Sequence, residues 1–285
     1  MDFDIHHPEV LDAVRRALAE DIGTGDITTN ATVDANLMAT GRFIARQPMT
    51  VCGVELIELV FAELGGVDFL GTHMHSGERA AAGDVLATVR GKARTLLTGE
   101  RVALNFQQRL SGIATMTRKH ADAVAGTGCK ILDTRKTTPG LRRLEKWATV
   151  CGGATNHRIG LFDAVLIKNN HITAAGGVRQ ALERVRSAGV PHGVAVEIEV
   201  RTRGELEEAL TFNADHLLLD NLTPDEASEW IGFIAGRAKV ELSGGMRLEK
   251  LREYASTGAD YISVGALTHS SVAVDINFRV SLETA

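Results

Sequence analysis

The sequence predicts an α/β protein whose C-terminal part is a barrel of alternating strands and helices. Six apolar, strand-like runs follow residue 128: CKILDTRK, AVLIKNNH, VAVEIEV, ADHLLLDN, AKVELSGG and ADYISVGALTH. Helix-like segments separate them, and from the third run onward the strands recur about every 20–25 residues, a usual length for a strand–helix unit. Strands with nearly continuous apolar cores between helices indicate a parallel sheet covered on both faces. We therefore predict an open parallel (β/α) barrel of the TIM type.

The first part of the chain follows a different pattern. Residues 8–20 carry apolar side chains at helical spacing, and Pro8 suits the first turn of a helix. From about residue 30 to 95, short apolar runs such as GRFIARQ, MTVCGVELI and DVLATVRG are separated by Gly and Asp, which predicts a mixed or antiparallel sheet. The run GERAAAGDVLATVRG is similar to a lipoyl-like hammerhead, but it lacks a modifiable Lys at a hairpin tip. Residues 96–125 predict one long helix, or two broken at Gly112, linking two domains.

Composition excludes several classes of function. The formal net charge is −5 and aromatic residues make up 5% of the chain, so neither a basic field nor a stacking platform is available for nucleic acid. The three cysteines are far apart in sequence and form no CxxC motif or disulfide framework. The chain shows no signal peptide, and no apolar run approaches the ~18 residues that span a bilayer. We expect a cytoplasmic protein without nucleic-acid or membrane partners.

Nearly every predicted barrel strand ends in polar or charged residues. At one strand such residues are ordinary boundary residues, whereas six strand ends that combine cations, carboxylates and glycines indicate a functional site. The carboxyl ends of barrel strands are where active sites are built. In chain order these ends are Asp133-Thr134-Arg135-Lys136, Lys168-Asn169-Asn170-His171, Glu197 with Glu199, Asp220-Asn221, Ser243-Gly244-Gly245, and Gly265-Ala266-Leu267-Thr268-His269.

The cations at these ends predict substrates with several negative charges. They are Arg135, Lys136, Arg142, Arg143, His157, Arg158 and Lys168. Arginine suits bidentate recognition of carboxylate and phosphate. Lys168 ends an apolar strand, so we expect it to be partly buried and to need an anionic partner. That partner is either a substrate or, in a purely structural role, Glu199 or Asp220.

The acids and glycines have chemical interpretations of their own. Glu199 and Asp220 are candidates for holding ribose hydroxyls, coordinating Mg²⁺ directly or through water, and stabilising a cationic sugar. Glu197 alternates with Glu199 on one strand, and the pattern does not decide which of them faces the site. The two glycine turns after the last strands predict phosphate binding through backbone N–H groups. His157 and His269 stay open between a general acid, a metal ligand and a structural role.

Some motifs are absent, which limits the chemistry. The sequence has no Walker A loop, GxSxG elbow, HExxH motif or dinucleotide-binding GxGxxG. The chemistry is therefore expected to need neither a protein nucleophile nor a tight metal site. Two alternatives remain: a Schiff-base aldolase that uses Lys168, and a non-enzymatic binding module built on the N-terminal domain.

Several long motifs carry a family resemblance. Residues 133–142 (DTRKTTPGLR), 152–161 (GGATNHRIGL) and 163–168 (DAVLIK) are followed in order by EIEV, LDN, ELSGG and VGALTH. Together with GDITT and LLTGERVALNFQQRLSGIAT in the N-terminal part, they resemble the quinolinate phosphoribosyltransferase family over essentially the whole chain. One departure is Asn169, where the family usually has Asp or Glu. The cationic residues are intact, so we still expect activity.

The resemblance implies a fold and a reaction. It implies an N-terminal α/β sandwich domain, hammerhead-like, at residues 1–112 and a barrel domain at 113–285, whose C-terminal tail is a candidate for returning to the first domain. The reaction is phosphoribosyl transfer from phosphoribosyl pyrophosphate to quinolinate with decarboxylation, which gives nicotinate mononucleotide in NAD biosynthesis. Mg²⁺ is implied, as is a homodimer, or a larger assembly of dimers, in which Arg101 reaches the partner's site. A paralogue associated with molybdenum transport is the nearest alternative, and the complete TRKTTPGLR and NHR motifs count against it.

Matching positions also imply the site residues. Candidate catalytic residues are Lys136, Lys168, Glu199 and Asp220. Residues expected to bind the quinolinate carboxylates and the pyrophosphate are Arg101, Arg135, Lys136, His157, Arg158 and Lys168. Glu199 and Asp220 are expected to hold the ribose and Mg²⁺. The expected 5′-phosphate ligands are Ser243, Gly244, Gly245, Gly265 and Ala266, with Thr134, Val264 and His269 as further substrate contacts.

Overall fold

A computed structural model describes residues 3–191 and 193–282, so the outermost ends of the predicted domains lie outside the described residues. The chain forms two compact units. The first contains residues 3–118, 136–153 and 266–282, and the second contains residues 119–135 and 154–265. Two segments of the later chain thus belong to the first unit, and the boundary predicted at residue 112 stays a prediction.

The first unit is built on an antiparallel sheet of order β12-β1-β5-β3, beside the short pair β2-β4. Its strands are β1 (Met38–Ala45), β2 (Met49–Thr50), β3 (Phe69–Thr72), β4 (Arg79–Ala80), β5 (Val85–Lys92) and β12 (Ile276–Leu282). Its helices are α1 (Pro8–Ile22), α2 (Ile27–Thr32), α3 (Leu56–Glu63), most of α4 (Ala93–Ala123), α5 (Arg142–Cys151) and α11 (Ala266–His269). The last described strand of the chain therefore completes a sheet that begins at residue 38.

Local sequence explains where two of these helices lie. Helix α1 begins at Pro8, as predicted, and the side chain of His7 accepts a hydrogen bond from the first turn. The strand predicted within MTVCGVELI is largely wrong, because only Met49–Thr50 is extended and helix α3 begins at Leu56. Five of the eight residues of α3 are buried. A helix that is apolar nearly all round shows no helical periodicity, which is why the pattern resembled a strand.

Helix α4 passes through Gly112 without a break. A Cβ atom at this position would lie 2.3 Å from the carbonyl oxygen of Val272, so only glycine allows the backbone of residues 272–273 to approach the helix this closely. Glycine costs about 1 kcal/mol relative to alanine in a helix interior. The tight packing in the first unit accounts for its presence here.

The second unit is a six-stranded parallel sheet of order β6-β11-β10-β9-β8-β7. Its strands are β6 (Lys130–Leu132), β7 (Val165–Ile167), β8 (Val196–Val200), β9 (His216–Asp220), β10 (Lys239–Ser243) and β11 (Tyr261–Ser263). Its helices are α6 (Asn169–Ala175), α7 (Val178–Ser187), α8 (Arg203–Thr211), α9 (Pro224–Ile234) and α10 (Leu251–Ala255), with a 3₁₀ turn at Leu248–Lys250. All six predicted strands are present.

The first two strands in sequence stand at opposite ends of this sheet, as expected for a barrel that is open between them. At the opening, β6 forms a single parallel bridge from Leu132 to Thr155. Helices α8 and α9 start at capping boxes, in which Thr202 pairs with Glu205 and Thr223 with Glu226. The predicted fold class, an α/β protein with an N-terminal sandwich domain and an open parallel barrel, is confirmed. None of the described helices is long and apolar enough to cross a membrane.

Candidate functional site

The carboxyl edge of the parallel sheet gathers most of the predicted residues. Parallel strands end at one edge, and Lys168 follows β7 directly, while Asp220 and Ser243 are the last residues of β9 and β10. Glu199 lies one residue before the end of β8, and Val264 follows β11. The second unit thereby holds Thr134, Arg135, His157, Arg158, Lys168, Glu199, Asp220, Ser243, Gly244, Gly245, Val264 and Gly265.

A buried carboxylate positions the loop that carries His157 and Arg158. Asp133, at the end of β6, is fully buried. One of its oxygens accepts a hydrogen bond from Nδ2 of Asn156 at 2.6 Å, and the other accepts from the backbone N–H of His157 at 2.8 Å. Asp163 accepts from two backbone N–H groups of the same loop. Hydrogen bonds to carboxylates are among the strong ones, so this loop is well fixed.

Arg135 and Arg158 concentrate positive charge at the site. Burial, and next the charge of Arg135, lower the pKa of Arg158 from its usual value. Nη1 of Arg158 donates to the carbonyl of Ala164 at 3.0 Å, whereas its buried Nε donates to no acceptor in the described chain. Two neighbouring guanidinium groups repel each other and favour an anion between them. This pair is therefore suited to bind carboxylate or phosphate.

His157 contacts two buried acids on the inner side of the barrel. Its Nε2 lies 3.1 Å from Oε2 of Glu197 and 3.5 Å from Oε2 of Glu241. Its Nδ1 accepts a hydrogen bond from the backbone N–H of Arg158 at 2.7 Å, which assigns the proton of a neutral ring to Nε2. Burial, and next the charge of Glu197, raise the pKa of Glu241 to about 8, so Glu241 is protonated at neutral pH. We call these three residues the inner cluster.

A second group of charges lies two residues further along β8. Nη2 of Arg201 is 2.6 Å from Oε1 of Glu199 and 3.5 Å from Oδ2 of Asp220. Asp220 Oδ2 also accepts from Nδ2 of Asn221 at 2.8 Å. We call Glu199, Asp220 and Arg201 the outer cluster. Both Glu197 and Glu199 are thus buried on the same side of β8, at two depths.

The expectation that Lys168 is partly buried is wrong. It is exposed, because it stands one residue beyond the buried Ile167 and caps the start of helix α6. The possible structural partners of Lys168, Glu199 and Asp220, are paired with Arg201 instead. The exposed ammonium group of Lys168 is therefore accessible to a ligand and needs no partner within the chain.

The turn after β10 requires glycine. Gly244 and Gly245 have φ angles of +103° and +55°, in the region that favours glycine. A Cβ atom on Gly244 would lie 2.8 Å from the backbone nitrogen of Asn221, whose N–H donates to the carbonyl of Ser243. The turns after β9 and β10 are thus packed backbone to backbone, which explains why residue 244 is glycine.

Four predicted residues lie in the first unit. Arg101 is exposed on helix α4, and its charge acts on the neighbouring Glu100, whose pKa is raised by burial and lowered by Arg101. The backbone carbonyl of Lys136 accepts from the hydroxyl of Thr268 at 2.8 Å. Ala266 begins helix α11, and His269 ends it with Nδ1 2.7 Å from the hydroxyl of Ser270.

Sequence reasoning missed three residues that shape the site. Asp133 belongs to a predicted strand-end motif but was given no role of its own, although its carboxylate anchors the loop that carries His157. Glu241 lies inside the apolar run KVELS, and an acid in a buried strand needs a polar partner. The sequence therefore contained a signal that Glu241 contacts another polar group. Arg201 follows a strand directly and lies two residues beyond Glu199, so strand alternation could have placed both side chains on the same side.

The donor set of the outer cluster fits Mg²⁺. This ion prefers carboxylate oxygens, and it is usually held by one or two carboxylates together with water and substrate phosphates. Oxygens of Glu199 and Asp220 already converge on one positively charged nitrogen. In the inner cluster, by contrast, burial raises the pKa of Glu241 to about 8, so this carboxyl group carries a proton at neutral pH.

Comparison with known proteins gives a consistent result. Residues 26–111 match the model of the quinolinate phosphoribosyl transferase N-terminal domain, and residues 113–279 match that of its C-terminal domain. A probable nicotinate-nucleotide pyrophosphorylase [carboxylating] of Bacillus subtilis is 40% identical over 98% of this chain and 96% of its own. The Mycobacterium leprae protein of that name is 45% identical over 93% of this chain and 95% of its own. A solved Francisella tularensis nicotinate-nucleotide pyrophosphorylase superposes with a TM-score of 0.92 at 36% identity, covering 99% of this chain and 100% of that one.

Proposed function

Because the chain belongs to the quinolinate phosphoribosyltransferase family, we propose that it transfers the phosphoribosyl group of phosphoribosyl pyrophosphate to quinolinate. The products are nicotinate mononucleotide, pyrophosphate and CO₂. The observation that carries this proposal is the meeting of a cationic pair, Arg135 and Arg158, with two strand-end acids on one edge of the barrel. The molybdenum-transport alternative is not supported by the comparisons.

The cationic residues match the charge of the substrates. Quinolinate has two carboxylates, and Arg135, Arg158 and Lys168 offer positive groups in the second unit. Arg135 and Arg158 suit a planar carboxylate, while the exposed ammonium of Lys168 suits a flexible pyrophosphate. His157 contacts Glu197 through Nε2 and accepts from the backbone N–H of Arg158, so its contribution is the placement of Arg158.

The reaction needs positioning and charge stabilisation. The lone pair of the pyridine nitrogen forms a bond to C1 of the ribose while the bond from C1 to the pyrophosphate oxygen breaks, and the electron pair leaves with pyrophosphate. The pyridinium then accepts the electrons of the bond to the adjacent carboxylate, CO₂ leaves, and the ring carbon takes up a proton. Glu199 and Asp220 stabilise positive charge on the ribose, and the cations stabilise the departing pyrophosphate.

Mg²⁺ is part of the proposal. Glu199 and Asp220 would hold it directly or through water, and it would neutralise charge on the pyrophosphate. The backbone N–H groups of residues 243–245 and 265–266 are proposed to bind the 5′-phosphate. Thr134, Lys136, Val264 and His269 complete the proposed contacts.

The direct test is product formation from two competing acids. We expect nicotinate mononucleotide from quinolinate and at least ~10²-fold lower kcat/KM with nicotinate, because a monocarboxylate leaves one half-buried cation of the site without its charge-assisted contact. Isotope-labelled acids and chromatography of the nucleotide products measure this. Equal use of both acids contradicts the proposed substrate, and no nucleotide from either acid contradicts the proposed reaction.

A homodimer that shares Arg101 is also proposed. Arg101 is exposed and makes no ion pair or directed hydrogen bond within the described residues, so it is available to an anion outside its own helix. Arg101→Ala and Lys168→Ala homodimers are each expected to be nearly inactive. Each site of the proposed two-fold dimer combines Lys168 of one chain with Arg101 of the other. A mixed dimer of the two variants therefore has one site with both residues intact, and we expect about half the activity of the wild type per mixed dimer. No recovery in verified mixed dimers places Arg101 in its own chain's site.

A further inference from the structure

We infer that Arg201 is a resident counter-ion of the outer cluster, which leaves the two carboxylates when Mg²⁺ and phosphoribosyl pyrophosphate bind together. The inference rests on the proposed function for the assignment of Glu199 and Asp220 to the metal and the ribose. It adds a positioning residue that determines when the metal enters the site.

The geometry places one cation on both acids. A single nitrogen, Nη2 of Arg201, contacts Glu199 at 2.6 Å and Asp220 at 3.5 Å. The carboxylate side chains are only 7% and 17% exposed, whereas the Arg201 side chain is 47% exposed. Buried carboxylates near each other need a positive partner. In the described structure Arg201 is that partner.

The contact is of a kind that exchanges readily. Oε1 of Glu199 is buried, yet it accepts no directed hydrogen bond within the described residues, so Arg201 is held there by charge alone. Nε and Nη1 of Arg201 make no hydrogen bond in the described structure. The guanidinium thus keeps donors available for a phosphate, the group that it binds best in bidentate geometry.

Competition follows from this arrangement. Mg²⁺ needs the same carboxylate oxygens, so free enzyme binds it only in the fraction of molecules in which Arg201 has moved away. If Arg201 occupies the pair about nine-tenths of the time, the apparent affinity for Mg²⁺ falls about 10-fold. A pyrophosphate group arriving with the metal offers Arg201 a new anionic partner. Metal and sugar pyrophosphate therefore bind together rather than one by one.

The test measures Mg²⁺ binding to the free protein by isothermal titration calorimetry, without either substrate. We expect Arg201→Gln and Arg201→Met to lower the Kd for Mg²⁺ by about 10-fold or more relative to the wild type. Arg201→Met retains much of the aliphatic stem, which covers the case in which the glutamine variant packs poorly. The control is Arg179→Gln, which removes the same charge from an exposed ion pair with Glu183 on α7. It corrects for the change in net charge and is expected to leave the Kd unchanged.

A second arm locates the effect. Adding Asp220→Asn to Arg201→Gln is expected to abolish the gain, because the metal then loses one of its two carboxylates. Equal Kd values for Arg201→Gln, Arg201→Met and Arg179→Gln overturn the inference. So does a gain that persists with Asp220→Asn, since the metal is then bound elsewhere. Product formation from quinolinate is measured separately on the wild type, so failure of the proposed function is distinguished from failure of this inference.

Discussion

The inner and outer clusters use the same residue type on the same strand and differ in what neutralises it. Glu197, in the inner cluster, faces the histidine His157 and an acid, Glu241, whose raised pKa favours the protonated form. Glu199, two residues on, faces a half-exposed arginine. A proton fixed between buried groups holds a structure in place, whereas a mobile cation at the edge is exchanged for a ligand. On β8, the position of Glu197 therefore suits a positioning role, and the position of Glu199 suits a binding role.

The outer cluster is expected to give the largest loss of activity. Glu199→Gln and Asp220→Asn each remove a charge that is proposed to stabilise the ribose and Mg²⁺, so we expect kcat/KM to fall about 10²–10³-fold. Steady-state formation of nicotinate mononucleotide measures the loss. Glu207→Gln on α8, which breaks only an exposed pair with Arg203, is the matched control. Activity within about 3-fold of the control removes the outer cluster from the chemistry.

Lys168 is expected to follow in size and to affect activity without affecting stability. Lys168→Ala is expected to lower kcat/KM about 10²-fold through loss of a charge-assisted contact with substrate. Because the side chain is exposed, the thermal midpoint is expected to stay within about 1 °C of the wild type. Differential scanning calorimetry beside the activity assay separates the two effects. A large fall in the midpoint assigns Lys168 a structural role.

The inner cluster is expected to show the opposite balance. Glu197→Ala leaves Nε2–H of His157 without its closest acceptor and opens a cavity, so we expect the free energy of unfolding to fall by about 1–3 kcal/mol. Activity is expected to fall about 10-fold through misplacement of the loop that carries Arg158. Urea unfolding is measured for this variant and for Glu199→Ala. If the Glu199 variant loses more stability than the Glu197 variant, the distinction between the two depths is wrong.

The smallest expected effect is a dependence of stability on pH. The pKa of Glu241 is raised from its usual 4.5 to about 8, so its neutral form stabilises the fold fully below about pH 4.5, and this stabilisation is lost progressively as the pH rises from there to about 8. Glu241→Gln mimics the neutral form, and its stability relative to the wild type is expected to increase from pH 5 to pH 9. Unfolding across this range, with the exposed Glu249→Gln as control, measures it. A difference that does not change with pH shows that Glu241 is not protonated in the folded protein.

The sequence predicts the barrel well because the signal is local. Each strand is a short apolar run, and the polar residue that ends it marks the edge of the sheet, so Asp220 and Ser243 could be placed without coordinates. Helix α3 could not be assigned, since apolar residues on all its sides erase the period that distinguishes a helix from a strand. The prediction that Lys168 is partly buried was wrong for a related reason. An apolar run shows that a strand is buried, but it does not show whether the polar residue after the run is still inside the protein.

Pairing between distant residues was beyond reach. His157 and Glu197 are 40 residues apart, and nothing in either motif specifies their hydrogen bond. The two depths on β8 depend on which groups from other strands and loops meet each glutamate. The acids Glu197, Glu199 and Asp220 could be identified from the sequence, whereas their division into two clusters is visible only in the folded structure.

The pairing of β12 with β1 has a consequence for how the chain is made. Ser281 donates from its hydroxyl to the carbonyl of Thr40, and these residues are 241 positions apart. A ribosome releases β1 long before β12, so the sheet of the first unit stays incomplete until residues 276–282 have been synthesised. In the second unit each strand from β7 to β10 pairs with the next strand in sequence, whereas the pairing of β6 with β11 joins Lys130 to Tyr261. During translation, all six strands of the second unit are therefore synthesised before β12 completes the sheet of the first.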